Sequence, residues 1–186
     1  QNIGPVIEIV NIPNRISLRL SISEDGKTIA INNYVSVQRQ NGQAWETVKF
    51  FSPGAEDGTL TRTLLSRDGL LLLLSTDAKI FLFERPNVES SQWTLLSSNN
   101  HSNGIEEPVL SGDGSVVAFL EPESGDGSDS NERELMFLLV NRSSGTLLPL
   151  GDPLTGAFTE VVLSNDGTRA FVLREINFIS ATPFSS

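Results

Sequence analysis

The sequence predicts an all-β chain built from a repeated four-stranded unit. Its 186 residues contain the motif Ser-x-Asp-Gly four times, and each copy follows an aliphatic residue. The motif aspartates are 43, 45 and 53 residues apart, which is the period expected of a unit of four short strands. Hydrophobic residues make up 38% of the chain, enough to form the core of one domain.

Each motif is expected to form a tight turn. Asp and Ser side chains can bond to backbone groups one or two residues further on, and glycine adopts positive φ without a Cβ clash. The chain should therefore reverse direction at every copy. The predicted structural turn residues are Asp25 and Gly26, Asp68 and Gly69, Asp113 and Gly114, and Asp166 and Gly167.

A strand is predicted on either side of every turn. These segments are three to six residues long, apolar or alternating, and bounded by turn formers. The uniformly apolar segments should be covered on both faces, as in stacked sheets. The strands before the turns are predicted at 18–22, 60–65, 108–110 and 158–163, and those after the turns at 28–31, 70–74, 116–120 and 169–173.

A third and a fourth strand complete three of the units. The third is predicted at 34–38, 79–83 and 135–140, and the fourth at 45–51, 93–96 and 146–150. Asn41-Gly42 is a hairpin signal between the last two strands of the first unit. Pro149 cannot donate to a ladder, so the fourth strand should lie at the sheet edge.

Four-stranded meanders with this period and this turn resemble the blades of β-propellers of the WD40, TolB and FG-GAP types. The resemblance implies antiparallel blades at about 16–52, 59–97, 106–151 and 157–180. The sequence lacks the Gly-His and Trp-Asp pairs of WD40 blades and the Asp-x-Asp-x-Asp-Gly calcium loop of FG-GAP blades. The subfamily is therefore left unassigned.

The fourth unit lacks a fourth strand, and a strand-like run at 6–10 belongs to no unit. We expect this run to complete the last blade, closing a four-bladed ring that forms a single domain over residues 1–186. Pairing the two ends would satisfy backbone groups at an open edge. The alternative is that the chain is a segment of a larger propeller.

Composition excludes several functional classes. The net charge is −10 and no cluster of Lys or Arg interrupts it, so a nucleic-acid partner is not expected. The chain has no cysteine, which rules out disulfides and a thiol nucleophile. The longest aliphatic run, 70–74, is too short for a membrane span.

No catalytic constellation is recognised in the sequence. The only histidine, His101, lies in a Ser-Asn-rich segment without a partner at a known spacing, so no catalytic residue and no enzyme activity are predicted. No phosphate-binding loop or nucleophile elbow is present. The acidic insertion at 124–132 is interpreted as a solvated loop; Asp126, Asp129 and Glu132 are its candidate calcium ligands, and no other cofactor is expected.

Two further features concern glycans. Trp45 and Trp93 begin predicted outer strands, where packing between blades is the first interpretation and sugar stacking the second. Asn100 and Asn141 begin glycosylation sequons in predicted surface turns. The first residue is Gln, as after removal of a targeting segment, so an extracytoplasmic (secreted or lumenal) location is expected.

The sequence-based conclusion is a non-enzymatic protein-binding or scaffolding module that belongs to a larger assembly. Its partner is expected to dock on a loop face formed by residues 53–59, 84–92, 97–107 and 122–134. The alternative is a carbohydrate-binding propeller that uses Tyr34, Trp45 and Trp93. A third hypothesis is a carboxylate-based glycosidase, since 23 acidic residues allow many pairs.

Overall fold

The structure is a computed structural model that describes residues 20–31, 34–38, 45–49, 54–122, 132–174 and 178–179. The strands at 34–38, 45–49 and 178–179 are described by their backbone. The described residues form four antiparallel sheets and contain no α-helix. None of them forms a helix with the length and hydropathy that crossing a membrane requires.

The first two sheets each contain four strands in chain order. The first consists of β1 (Leu20–Ile22), β2 (Thr28–Ile31), β3 (Tyr34–Gln38) and β4 (Trp45–Lys49). A short 3-10 turn at Ala55–Asp57 leads to the second sheet. That sheet consists of β5 (Leu60–Leu65), β6 (Leu71–Thr76), β7 (Lys79–Glu84) and β8 (Thr94–Asn100).

The third and fourth sheets repeat this meander. The third consists of β9 (Glu106–Leu110), β10 (Val116–Pro122), β11 (Arg133–Asn141) and β12 (Thr146–Pro149), with the short β13 (Leu154–Gly156) also paired to β11. The fourth consists of β14 (Phe158–Leu163), β15 (Ala170–Arg174) and β16 (Phe178–Ile179). The first strands of neighbouring sheets contact one another, from β1 to β5, β5 to β9 and β9 to β14.

The core lies between the sheets, in three clusters. Leu71 and Leu73 of β6 face the third sheet, whereas Leu72 and Leu74 face the first. All four side chains are fully buried, which accounts for the unbroken leucine run. Each buried leucine contributes about 1.5–3 kcal/mol through removal of apolar surface from water. The third cluster joins the third and fourth sheets.

Every Ser-x-Asp-Gly motif forms the turn between the first and second strands of its sheet. In the second sheet, the Ser66 hydroxyl donates to Asp68 Oδ1 at 2.5 Å and accepts from the Leu71 amide at 2.9 Å. Asp68 Oδ1 also accepts from the Leu70 amide at 2.9 Å. The turn glycine is at positive φ in all four copies, between 66° and 73°. The motif thus satisfies its own polar groups within six residues.

The turns also bond to one another across the sheets. The Glu24 amide donates to the Arg67 carbonyl at 2.9 Å, and the Arg67 amide donates to the Gly112 carbonyl at 2.6 Å. The Asp113 amide donates to the Asn165 carbonyl at 2.7 Å. Backbone bonds between successive turns therefore fix the spacing of the sheets at this end of the strands.

Hydrogen bonds within the turns favour ionised aspartates. Bonds from the Ser164 hydroxyl and from the hydroxyl and amide of Thr168 lower the pKa of Asp166 to about 2. Burial raises the pKa of Asp113, but bonds from Ser111 and Ser115 outweigh burial and leave that pKa below its usual value.

Most strand boundaries follow the prediction, and the main error concerns the fourth strand of the second sheet. It begins at Thr94 and continues through Ser97 to Asn100, which the sequence assigned to a loop. Ser and Asn are poor strand formers, but here they pair with Lys79 to Leu82 on an outer strand that faces solvent. Pro149 lies on the edge strand β12, as expected.

The predicted strand at 6–10 lies outside the described residues, and closure of the ring is not shown. The described part of the fourth sheet ends at β16, which pairs with β15. The all-β class and the antiparallel four-stranded units are confirmed.

Substituting the turn glycines separates backbone strain from packing between sheets. A Cβ on Gly114 would lie 2.6 Å from Leu71 Cδ1 of the preceding sheet, whereas a Cβ on Gly26 would meet nothing within 4 Å, and the two φ angles are 73° and 69°. Gly26→Ala should cost about 1–2 kcal/mol for the left-handed conformation. Gly114→Ala should cost a further 1–3 kcal/mol, about the usual overpacking range, in urea unfolding. Equal losses would contradict this packing.

Acid should weaken the turns. A carboxyl whose pKa is lower in the folded chain adds stability above its unfolded pKa and loses it as pH falls, so Asp166 acts between its ordinary 3.8 and about 2. The melting temperature should therefore fall less steeply in this window for Asp166→Asn than for the unmodified protein, as measured by differential scanning fluorimetry. Asp152→Asn, at an exposed aspartate outside the turns, is the control.

Candidate functional site

A cleft of about 420 Å³ lies where the first strands of the last three sheets begin. This is the end of the strands opposite the Ser-x-Asp-Gly turns. Its walls come from β5, from the segment at 105–108, from β11 and from β14. The polar side chains in the lining are Thr61, Arg62, Glu106, Glu107, Arg133 and Thr159.

A β-bulge interrupts each of the three first strands at the cleft. Thr61 is the extra residue of β5, between Leu60 paired with Thr76 and Arg62 paired with Ser75. Thr159 has the same place in β14, and Glu107 lies within the irregularity of β9. A bulge redirects side chains and is often found next to active sites. Here the extra residue of each strand contributes to the cleft lining.

Glu107 has an unusual backbone conformation. Its φ of 44° is the only positive value among the described non-glycine residues. A residue held in this region costs about 1–3 kcal/mol, and such residues concentrate at functional sites. Pro108 follows it and, lacking an amide donor, is tolerated at a bulge. The backbone strain at Glu107 therefore lowers the stability of the fold while its carboxylate lines the cleft.

Two arginine–glutamate pairs form the charged part of the cleft. Arg62 Nη1 lies 3.0 Å from Glu107 Oε2, and Arg133 Nε lies 2.6 Å from Glu106 Oε2. Arg133 also donates to the Phe158 carbonyl at 3.2 Å, which joins the third sheet to the fourth. The glutamate side chains are 39% and 44% exposed, so water and a small polar ligand can reach them.

A second pair of titratable groups lies on the same end of the sheets. His101 Nδ1 is 2.5 Å from Glu121 Oε1, and both side chains are about nine-tenths buried. The imidazole ring packs edge-on against Phe119, with centroids 4.6 Å apart. Its Nε2 is buried and has no hydrogen-bond partner among the described residues. No sequence motif indicates this contact, because the two residues belong to different sheets.

The loop face predicted from the sequence is not one surface. The segments at 54–59, 100–107 and 132–134 lie at the cleft end, whereas 85–92 follows a third strand and therefore lies at the turn end. The Arg85 amide bonds to the Leu70 carbonyl, which places it there. Successive antiparallel strands alternate their ends, so connections after the first and third strands share one end.

The structure gives side-chain contacts for Trp93 and backbone pairing for Trp45. Trp93 is half-buried and packs against the cluster between the first and second sheets, with the Arg85 guanidinium 5.2 Å from its ring centroid. These contacts agree with the first interpretation of Trp93, packing between blades. Trp45 begins β4 and pairs through its backbone with Gln38. Tyr34 begins β3 and pairs with Lys49.

The candidate calcium and glycosylation residues are spread over the structure. Asp126 and Asp129 lie outside the described residues, and Glu132 is exposed just before β11. Among the described residues, no three metal-ligating side chains cluster. Asn100 ends β8 and is exposed, whereas Asn141 ends β11, and its side-chain oxygen accepts from the Ser144 amide at 3.1 Å. Both therefore terminate strands, where the sequence placed turns.

The sequence predicted Glu106, Glu107 and Arg133 only as part of a docking face for a partner protein, and not as residues of a polar cleft. Glu106, Glu107 and Pro108 stand before a short apolar strand, which reads as an ordinary strand entry. One signal could have indicated them. An acidic pair followed by a proline stands at the start of a first strand, at the place that Thr61 occupies in the second sheet. Arg62 and Arg133 carry no local motif, because only the packing of neighbouring sheets brings them to the glutamates.

Comparisons with solved structures identify the architecture. A protein of Bacteroides fragilis, provisionally named a 6-phosphogluconolactonase, is 16% identical, and the match covers 84% of this chain and 47% of that one with a TM-score of 0.56. The β-propeller domain of Cps50 (Swd1) from Myceliophteria thermophila is 15% identical, with coverages of 84% and 49% and a TM-score of 0.56. The fold is that of a β-propeller. Each sheet is one blade, and the chain spans about half the length of these proteins.

A third similar structure is the periplasmic gluconolactonase of Pseudomonas aeruginosa. It is 17% identical, and the match covers 82% of this chain and 45% of that one with a TM-score of 0.54. No protein-family model matches the chain. No curated protein matches it in sequence. At these identities the likeness shows the fold, and the propeller subfamily stays unassigned.

The predictions of a non-enzymatic binding or scaffolding module and of no enzyme activity are wrong. Propellers named as lactonases match more than four fifths of this chain. Sequence motifs indicate sites contained in one segment, whereas this cleft takes its residues from three blades. The same matches contradict the carbohydrate-binding alternative.

The His101–Glu121 contact can be tested through stability. Glu121→Leu removes the carboxylate and leaves a buried ring nitrogen without its partner, which should lower the free energy of unfolding by about 1.5–3 kcal/mol. Glu121→Gln keeps a side-chain oxygen at that place and should cost less. Urea unfolding measures both, and an equal loss in the two variants would show that the contact is not what stabilises this region.

Proposed function

We propose that the protein is a lactonase-type hydrolase that opens the cyclic ester of a sugar acid in the cleft between the second, third and fourth blades. The observation that carries the proposal is the convergence on one cleft of Arg62 from β5, Glu106 and Glu107 from β9, and Arg133 from β11, beside the bulged starts of three first strands. The names of the similar propellers support the same class of reaction.

The arginines suit an oxygen-rich anionic substrate. A guanidinium group donates in a planar fork that matches carboxylate and phosphate oxygens. Arg62 and Arg133 are 23% and 31% exposed, so each keeps part of its donor surface open to the cleft. Because Arg62 and Arg133 are each paired with a glutamate, they would hold such a substrate through directed hydrogen bonds and not through net positive charge.

Glu107 is the proposed general base. Its carboxylate takes a proton from a water molecule while the water oxygen forms a bond to the lactone carbonyl carbon, giving a tetrahedral oxyanion. Arg62, beside it, stabilises that charge. When the intermediate collapses, the bond from the carbonyl carbon to the ring oxygen breaks, and the proton passes to the leaving alkoxide. The product is the open-chain hydroxy acid.

Arg133 is the proposed positioning group for substrate. Its Nε is occupied by Glu106 and one of its Nη atoms by the Phe158 carbonyl, so the side chain is fixed between the third and fourth blades. A fixed donor orients a substrate oxygen without the entropy loss of ordering a free side chain. Glu106 thus acts through Arg133.

Four sequence-based expectations stay proposals. An extracytoplasmic location is supported by the printed name of the periplasmic gluconolactonase. Glycans on Asn100 and Asn141 depend on that location. Calcium at 124–132 and a partner protein rest on the sequence alone.

The test is hydrolysis of glucono-δ-lactone and of its 6-phosphate by the purified protein, followed as acid release at constant pH with the spontaneous rate subtracted. Glu107→Gln should lower kcat by about 100-fold or more, since general bases contribute 10²–10⁴-fold. Arg133→Gln should mainly raise KM. Arg67→Gln, in an exposed ion pair with Glu24 at the turn end, is the matched control and should retain activity.

Two results would contradict the proposal. One is an absence of lactone opening above the spontaneous rate by protein that is folded by circular dichroism. The other is full activity in Glu107→Gln, which would place the reaction elsewhere in the propeller.

A further inference from the structure

The two terminal blades each leave an apolar face uncovered by the described residues. On the first blade, Leu20 and Ile22 of β1 are 57% and 53% exposed. On the fourth blade, Val162 of β14 and Phe171 of β15 are 49% and 53% exposed, and they are directly paired across the two strands. Large apolar side chains grouped in this way mark an interaction surface.

The direction of each face follows from its neighbours. Between Leu20 and Ile22, the Ser21 hydroxyl accepts from the Leu65 amide at 2.9 Å, so Ser21 faces the second blade. Leu20 and Ile22 therefore face away from it, because successive strand residues point to opposite sides. In the fourth blade, Val161 and Ala170 are buried against the third blade, so Val162 and Phe171 face away from it.

Counting from the motif serines shows what such faces pack against. Val162 and Phe171 occupy the positions of Leu64 and Leu73 in the second blade, where both pack against the third blade. Ile22 occupies the position of Leu65, which packs against Ala30 of the first blade. The free face of the fourth blade is thus one half of an interblade interface, and the free face of the first blade is the other half.

We infer that two copies of this chain associate head to tail, the fourth blade of each copy packing on the first blade of the other. In this arrangement each apolar face is covered by a neighbouring blade, as the equivalent positions of the second blade are within the chain. It gives a ring of eight blades, within the range of four to eight found in propellers. A two-fold axis closes the ring, so a discrete dimer forms rather than a filament.

The inference is independent of the lactonase proposal. The cleft is built by blades two to four of one copy and does not need the partner. A failure of dimerisation and a failure of lactone opening are therefore separate results.

The experiment measures mass in solution by light scattering coupled to size exclusion, over a range of concentrations, with the full chain. The unmodified protein should have twice the mass of one chain. A head variant, Leu20→Asp with Ile22→Asp, and a tail variant, Val162→Asp with Phe171→Asp, should each be monomeric with the dimer Kd raised about 100-fold or more, because a charge enters each apolar contact.

Mixing the two variants tests the head-to-tail geometry. The intact tail of the head variant can pack on the intact head of the tail variant, so an equimolar mixture should recover a dimer that neither variant forms alone. Recovery also shows that both variants are folded. Leu148→Asp, at a leucine that is 47% exposed on the edge strand β12, is the control and should stay dimeric.

Three outcomes would overturn the inference. The first is an unmodified protein that is monomeric at every concentration, as expected if the chain covers the faces itself or in a longer ring. The second is a dimer that survives in either variant alone, which would mean a head-to-head, tail-to-tail or unrelated contact. The third is two folded monomeric variants whose mixture stays monomeric.

Discussion

The structure depends on the bonding of each Ser-x-Asp-Gly turn to the next. A single turn closes its own hydrogen bonds and leaves backbone groups of its second or third residue for the neighbouring blade. Arg67 uses both of them, accepting from the Glu24 amide and donating to the Gly112 carbonyl. These bonds hold the turns of successive blades next to one another at this end of the first strands. The leucines of β6 can then pack into both neighbours.

The first strands are held by regular turns at one end and contain β-bulges at the other. The blade cores bury β6 completely and β10 from Val116 to Glu121, so the first strands do not need a perfect ladder near the cleft. The bulges at Thr61, Glu107 and Thr159 are placed there, where strain at Glu107 is offset by packing deeper in the blade. The regular turns thus lie at one end of the first strands and the candidate site at the other, as is common where a rigid scaffold carries a site.

The sequence predicted the fold because the repeat depends on local chemistry. Asp68 and Gly69 favour a turn through local bonds, and a short apolar run such as 70–74 between turn formers is typical of a strand buried on both sides. The candidate site depends on contacts between blades. Nothing near Arg133 in the sequence indicates that its partner is Glu106, and nothing near His101 indicates Glu121. Bulges are equally hidden, since a slip of one residue in pairing does not change composition.

The apolar ends of the blade array follow from the same repeat. A blade buries its two faces in different ways: the side that holds Leu65 receives the preceding blade, and the side that holds Leu64 and Leu73 receives the following one. Every added blade therefore satisfies one half-interface and creates another, so a finite array always ends in two unlike, mutually complementary faces. The two end faces of such an array are apolar and need to be covered. Among the described blades, Phe171 and Ile22 mark those two faces, so the proposed head-to-tail partner requires no surface beyond the one that the repeat already encodes.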